Sequence, residues 1–223
     1  NINEEVGCQI EGFDEPPTIM MPHHRPSQAG LIEGAGFAKL KDFYSWRYDF
    51  AAIPKRALRG HKQISELPEV EARPVNMGDF AAEVRLIMDI FNDAWQDNWG
   101  FVPLSERELD KMAKDLKMIM IPAITRLVFI DGEPAAVAMA VPNINEILPK
   151  LHGKLSPIGI ARLLWWLKVS KPRSGRLIIL GVRKKYRSVR KYAGLSPYLF
   201  VEMNKSGAEI GMTTGELGWA LED

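Results

Sequence analysis

Hydrophobic patterning is strongest in the C-terminal two thirds of the chain. Val70 to Val75 is strand-like, and Asp79 is placed to cap a helix running to about Trp95, with Val84, Ile87, Met88 and Phe91 on one face. Ser105 with Glu108 three positions on has the form of a capping box, and opens a second helix that ends near Pro122. Thr125–Ile130 and Ala135–Val141 flank Asp131-Gly132, a two-residue turn signal that predicts a hairpin. Ile147 to His152 and Ile158 to Val169 read as helical insertions, and Arg176 to Val182 as a buried strand. Ser196-Pro197 looks like an N-cap followed by proline at the first helical position, for a helix reaching about Glu209; Gly215 to Leu221 is a final strand.

The pattern is weaker before Val70. Residues 1–17 read as loop, ending in Asp14-Glu15-Pro16-Pro17. Thr18 to Met21 suits a short strand, which Pro22-His23-His24-Arg25-Pro26 breaks. Gln28 to Ala35 suits a short helix closed by Gly36, and the alternation within Phe37 to Phe50 suits a strand. Ala51 to Glu69 has weak periodicity and reads as a linker. The order from residue 70 onward predicts an α+β (α/β-like) fold with one mixed sheet.

The 223 residues are enough for one domain and part of another; 46% are hydrophobic and 26% charged, a balance that favours a packed core over disorder. Cys8 is the single cysteine, so neither a disulfide framework nor a cysteine-based zinc site is expected, and a reducing, cytoplasmic compartment is. Two adjacent histidines, His23 and His24, lack a matched third ligand, and no metal is expected. No signal peptide is visible. The apolar run Ile158–Val169 is interrupted by Arg162 and Lys168 and is too short to span a bilayer. The start at Asn1 and the stop at Asp223, straight after a strand-like run, suggest a piece of a longer protein.

Charge changes the picture more than composition does. The net value is only +1, yet residues 147–201 contain no Asp or Glu and thirteen Lys and Arg, leaving sixteen basic against twenty-eight acidic residues elsewhere. Such a segment is either a solvated basic face or the binding surface for an anionic ligand.

Several stretches resemble the GNAT superfamily of acyl-CoA N-acyltransferases, and within it a bacterial group carrying two GNAT-like lobes. They are Gly12–Pro17, Met20–Pro22, Gly36-Phe37, Asn92–Trp95, Asn98–Pro103, Leu180–Val182, Tyr186-Arg187 and Glu216–Asp223. The resemblance implies a mixed central sheet flanked by helices. It divides the chain into 1–50 as the closing part of a first lobe, 51–65 as linker, and 66–223 as a second lobe lacking its C-terminal elements. It also implies acyl transfer, probable donor acetyl-CoA or another acyl-CoA, to a small-molecule or peptide amine by direct attack, without DNA binding, metal or stable membrane insertion.

By that resemblance, the turn Arg187-Ser188-Val189-Arg190-Lys191-Tyr192-Ala193-Gly194 would cradle the pyrophosphate, with charge from Arg183, Lys184 and Lys185. The superfamily's glycine pattern is altered, because Arg190 and Tyr192 stand where small residues are usual. The two strands around this turn and helix would splay to admit the pantetheine arm, with Gly181 and Val182 near the thioester oxygen. Glu216, with Glu222 behind it, is the candidate proton acceptor. Asn98 and Trp99 are candidates for a substrate wall, and Asn143 and Asn145 for the acceptor pocket or for turn formation. Trp165-Trp166 would pack the inserted helix or face a membrane. Two other functions stay open: a degenerate lobe that only binds, and an aminoacyl-tRNA-dependent, Fem-like transferase using the basic stretch.

Overall fold

The computed structural model describes residues 7–152 and 156–222; the first six residues of the expected N-terminal loop, and Asp223, lie outside them. The elements in chain order are α1 (Gln28–Gly34), β1 (Phe43–Asp49), α2 (Lys55–Ser65), β2 (Val70–Pro74), α3 (Phe80–Trp95) and α4 (Glu106–Ile119). The hairpin β3 (Thr125–Ile130) and β4 (Glu133–Pro142) follows, then α5 (Pro157–Trp165), β5 (Ser174–Val182), the single turn α6 (Lys184–Arg187), α7 (Leu195–Glu209) and β6 (Thr214–Leu221).

Six strands form one mixed sheet in the order β1-β6-β5-β4-β3-β2. Of its neighbouring pairs, β5–β6 is parallel and the rest are antiparallel. β4 lies near the middle, and its run from Ala135 to Val141 is buried throughout, as a strand covered on both faces requires. On one face α3 and α4 bring Val84, Ile87, Met88, Leu109 and Leu116 onto Leu127, Val137 and Met139. On the other, α7 brings Leu195, Leu199 and Met203 onto Val128, Ala136 and Ala138. Gly181 lets α3 pass close to β5, because a Cβ there would meet the Ala94 Cβ at 3.2 Å.

Local chemistry explains most boundaries. Ser105 and Glu108 form the reciprocal capping box at the start of α4. Asp131 and Gly132 turn the β3–β4 hairpin with φ of 50° and 78°, the pair of positive values that a tight primed turn needs. Gly36, with φ of 91°, closes the chain end of α1.

Five expectations are corrected. Thr18–Met21 is a turn rather than a strand: Met20 takes φ of 61°, and Ile19 is buried in the α3-side core. The first strand is confined to Phe43–Asp49, where it finds β6. α7 begins at Leu195 with Gly194 at its N-cap, so Ser196 is inside the helix and Pro197 sits in its first turn. Asp79 occupies the N-cap position of α3 without a side-chain bond; Glu83 instead accepts from Arg73 and from the Asn76 amide. The segment read as a linker, 51–65, holds α2, which lies on α7. Ile64 is fully buried there, worth about 2 kcal/mol of transfer free energy. Gly60 faces Pro197 and Gly194 so closely that a Cβ would lie 2.9 Å from the proline.

Candidate functional site

β5 and β6 are paired only at their starts, from Ser174↔Thr214 to Leu177↔Leu217. Beyond that point each keeps its outer neighbour, β5 with β4 and β6 with β1, and a gap opens between them. The Arg183 amide bonds the Ala135 carbonyl at 2.9 Å, so by alternation the backbone groups of Val182 and Leu180 face the gap. Trp95 reaches across from α3 and donates its indole N–H to the Leu180 carbonyl at 3.0 Å. Other aromatic rings border the opening: Phe91 beside Trp95, and Phe43 between Trp99 and Trp219. Two unpaired strand edges can take an extended chain whose amides bond to them.

The cationic turn Arg187–Gly194 lies between β5 and α7, as expected from sequence. Its fine structure differs from a row of free amides. The N–H groups of Arg187, Val189, Tyr192 and Ala193 bond carbonyls three or four residues earlier, in two helical turns. The Leu195 and Ser196 amides, at the first positions of α7, have no acceptor within the helix. Gly194 is buried, and its missing side chain admits α2: a Cβ there would lie 2.8 Å from the Gly60 carbonyl oxygen. Several cations are already engaged. Arg183 bonds Asp89, Lys185 bonds Glu133, and Lys184 meets Asp97 at 2.5 Å. Lys191 lies 2.5 Å from Glu69, and this bond holds the Glu69 carboxyl below its ordinary value. Among the described residues Arg187 and Arg190 have no ion-pair partner, and both are exposed. They and the first amides of α7 are the groups available to a diphosphate.

Glu216 lies in the closed part of the pair, in register with Arg176. Both of its carboxylate oxygens are taken: Ser45 donates to one at 2.5 Å and Thr18 to the other. Arg176 is only 4% exposed. It donates to the Ile19 carbonyl at 3.0 Å and the Gly218 carbonyl at 3.3 Å, and its guanidinium lies 5.2 Å from the Trp219 ring centroid. Burial pushes this guanidinium down from its usual range, and Glu216 pushes it back up.

Asn143 and Asn145 are brought to the same end, where they hold chain rather than face an empty pocket. The Asn143 oxygen accepts from the Ile19 amide at 3.1 Å and its nitrogen donates to Ser174; Asn145 donates to the Pro17 carbonyl at 2.8 Å. Asn143 also accepts from the Asn145 amide, the turn-forming role. Asn98 forms the turn after α3, with its amide on the Trp95 carbonyl and its carbonyl receiving the Phe101 amide. Trp99 stands beside Phe43. Thus Val182 borders the gap while Gly181 turns its backbone to β4, Trp99 packs on Phe43, the cationic turn follows the end of β5, and Glu216, Asn143 and Asn145 belong to the closed base.

Arg176, Thr18, Ser45 and the indole of Trp95 were not singled out from the sequence. Arg176 carried a usable signal, since a lone arginine in an otherwise apolar strand must find partners when buried. Among the described residues there is no group of three metal-ligating side chains; His24 accepts from the Gln9 amide through Nδ1. No helix among them is long and apolar enough to cross a membrane.

The mixed sheet, the parting parallel strands and the helices on both faces are the GCN5-related N-acetyltransferase fold. Over 92% of this chain and 49% of the other, the structure superposes on a GCN5-related N-acetyltransferase from Sphaerobacter thermophilus with a TM-score of 0.54 at 13% identity. In sequence the chain is 37% identical over 224 residues to a bacterial ceramide synthase of Caulobacter vibrioides, and 38% identical over 226 residues to protein YghO of Escherichia coli. All of this chain is matched in both cases, and it spans 58% and 57% of the two relatives. No protein-family model matches the sequence.

Proposed function

We propose that this chain is part of an N-acyltransferase that moves an acyl group from an acyl-CoA to the amine of a long-chain amino alcohol. The observation that carries the reading is the parting of β5 and β6 after Leu177 and Leu217, beside a cationic turn and a helix start. The acceptor class follows from the name of the Caulobacter relative, a ceramide being the fatty amide of a long-chain amino alcohol. In this reading the pantetheine arm lies along the gap and bonds the edge at Val182. The Val182 N–H, which faces the gap, meets the oxygen of the tetrahedral intermediate. The amine nitrogen attacks the thioester carbon, the C–S bond breaks, and the proton lost by nitrogen passes through solvent to the departing thiolate. Glu216, with both oxygens occupied, is assigned to positioning the 17–21 segment rather than to proton transfer.

The test is to supply the full-length protein with acetyl-CoA or a long-chain acyl-CoA and a long-chain amino alcohol, and to read amide formation by mass spectrometry. Calorimetry with the CoA ester runs alongside. Amide formation supports the reading; absence of both product and binding sinks it. Arg187→Ala combined with Arg190→Ala is expected to weaken CoA binding about tenfold and to leave a dephosphorylated pantetheine analogue nearly unaffected.

A second reading, a non-catalytic binding lobe, is favoured by the internally bonded turn amides and by the Trp95 indole on Leu180. Binding without product in the same assay selects it. The aminoacyl-tRNA reading loses support, because Arg183, Lys184, Lys185 and Lys191 are engaged in ion pairs.

A further inference from the structure

The helical insertion between β4 and β5 lies apart from the cleft. α5 continues without a break into a wider helical turn, Trp166–Ser170. One side of this unit is buried: Leu163 and Trp166 pack on Ile147 and Leu151 in a small core of their own. The adjacent tryptophan has the opposite environment. Trp165 is 60% exposed, and so are Ile158 at 69% and Val169 at 59%. Their spacing places all three, with Ala161, on one helical face about 17 Å long. Arg162 and Lys168 flank this stripe and are exposed, with no ion-pair partner among the described residues. Lys150, Lys171 and Arg173 border an open polar depression at the end of the same unit. The nearest carboxylate in sequence, Glu146, lines the same depression and accepts from the Arg173 and Ser174 amides.

We propose that this face docks on the surface of a bilayer rich in anionic lipid. A tryptophan and branched aliphatics on one stripe, with cations on both flanks, can lie in the interfacial plane while the Lys and Arg stems carry their charges to the headgroups. The unit is too short to span, so the contact is peripheral. An anionic bilayer is favoured over an acidic protein because the apolar stripe is convex and continuous, with no groove or edge to fix a partner's register. The inference stands whether or not the cleft transfers acyl groups.

The experiment is co-sedimentation of the full-length protein with vesicles of phosphatidylcholine alone, or with about 30 mol% phosphatidylglycerol, at low and high salt. Binding to the anionic vesicles is expected to exceed binding to neutral ones at least about tenfold and to fall with salt. Ile158→Ser with Trp165→Ser is expected to lower it about tenfold or more, while far-ultraviolet circular dichroism stays unchanged. Arg162→Glu with Lys168→Glu is expected to abolish the preference for anionic lipid. Trp165→Phe, which keeps an apolar ring, is expected to retain most binding. Equal partition of wild type and both double variants, or no partition of the folded wild type into any vesicle, overturns the proposal. So does binding that one acidic protein competes away and vesicles do not.

Discussion

The two halves of the β5–β6 pair are built differently. From Ser174 to Leu177 the strands are bonded, and side chains from distant elements close over them: Arg176 on Ile19 and Gly218, Glu216 between Ser45 and Thr18, and Asn143 on Ile19 and Ser174. From residue 178 on, the strand edges face one another without bonds, and the Leu180 carbonyl is met by one indole. The closed half is a connected network of hydrogen bonds around Arg176, whose Nε alone of the guanidinium nitrogens is buried without a partner. The open half leaves its inner backbone edges without a strand partner. Bonded at one end and parted at the other, the two strands form a wedge whose apex is the Ser174–Leu177 pairing.

The sharpest way to break this contrast is Arg176→Met. It leaves the Ile19 and Gly218 carbonyls without their donor, and is expected to cost about 3 kcal/mol in chemical denaturation. A loss below about 1 kcal/mol makes the closed end no more built than the open one. Next comes Asn143→Ala, expected to cost about 2 kcal/mol by removing the acceptor of the Ile19 amide. Opposite these, Trp95→Phe keeps a ring and removes one hydrogen bond; a loss of about 1 kcal/mol is expected, with ligand affinity kept. The last effect is confined to alkaline pH and vanishes near neutrality. Burial pushes the Tyr48 hydroxyl, which lies against Gly215 at the closed end, up to about 12 from an ordinary 10.0. The folded state therefore holds this proton more tightly than the unfolded one. Its stabilisation is complete below about pH 10 and is lost as pH rises toward about 12, and Tyr48→Phe should flatten that part of an alkaline denaturation profile.

The same contrast explains how much was legible in the sequence. Elements defined by near neighbours were readable: the Ser105–Glu108 box, the Asp131-Gly132 turn, the one-sided periodicity of α3 and the apolar run of β5. The fold class followed from their order. α2 was not readable, because its sequence is dense in Lys and Arg and it is held by a glycine contact with α7. The 18–21 segment has strand-like composition, but the Ile19 backbone is bonded by side chains 124 and 157 positions away. The same holds at the candidate site. The cationic turn and the gap strands were found because a charged run and an apolar run are local features. Arg176 was overlooked because its meaning depends on register with Glu216, and Asn143 and Asn145 read as pocket lining because nothing local revealed that Pro17 and Ile19 lie on them.

The pairing of β1 with β6 has a consequence for synthesis. Ser45 and Glu216 stand 171 positions apart, so during synthesis β1 emerges well before β6, the strand it pairs with. At ordinary elongation rates that interval is roughly ten to thirty seconds. During it Tyr44 and Trp46 travel on a strand that still lacks β6, and the wedge gains its apex only when translation has reached that strand.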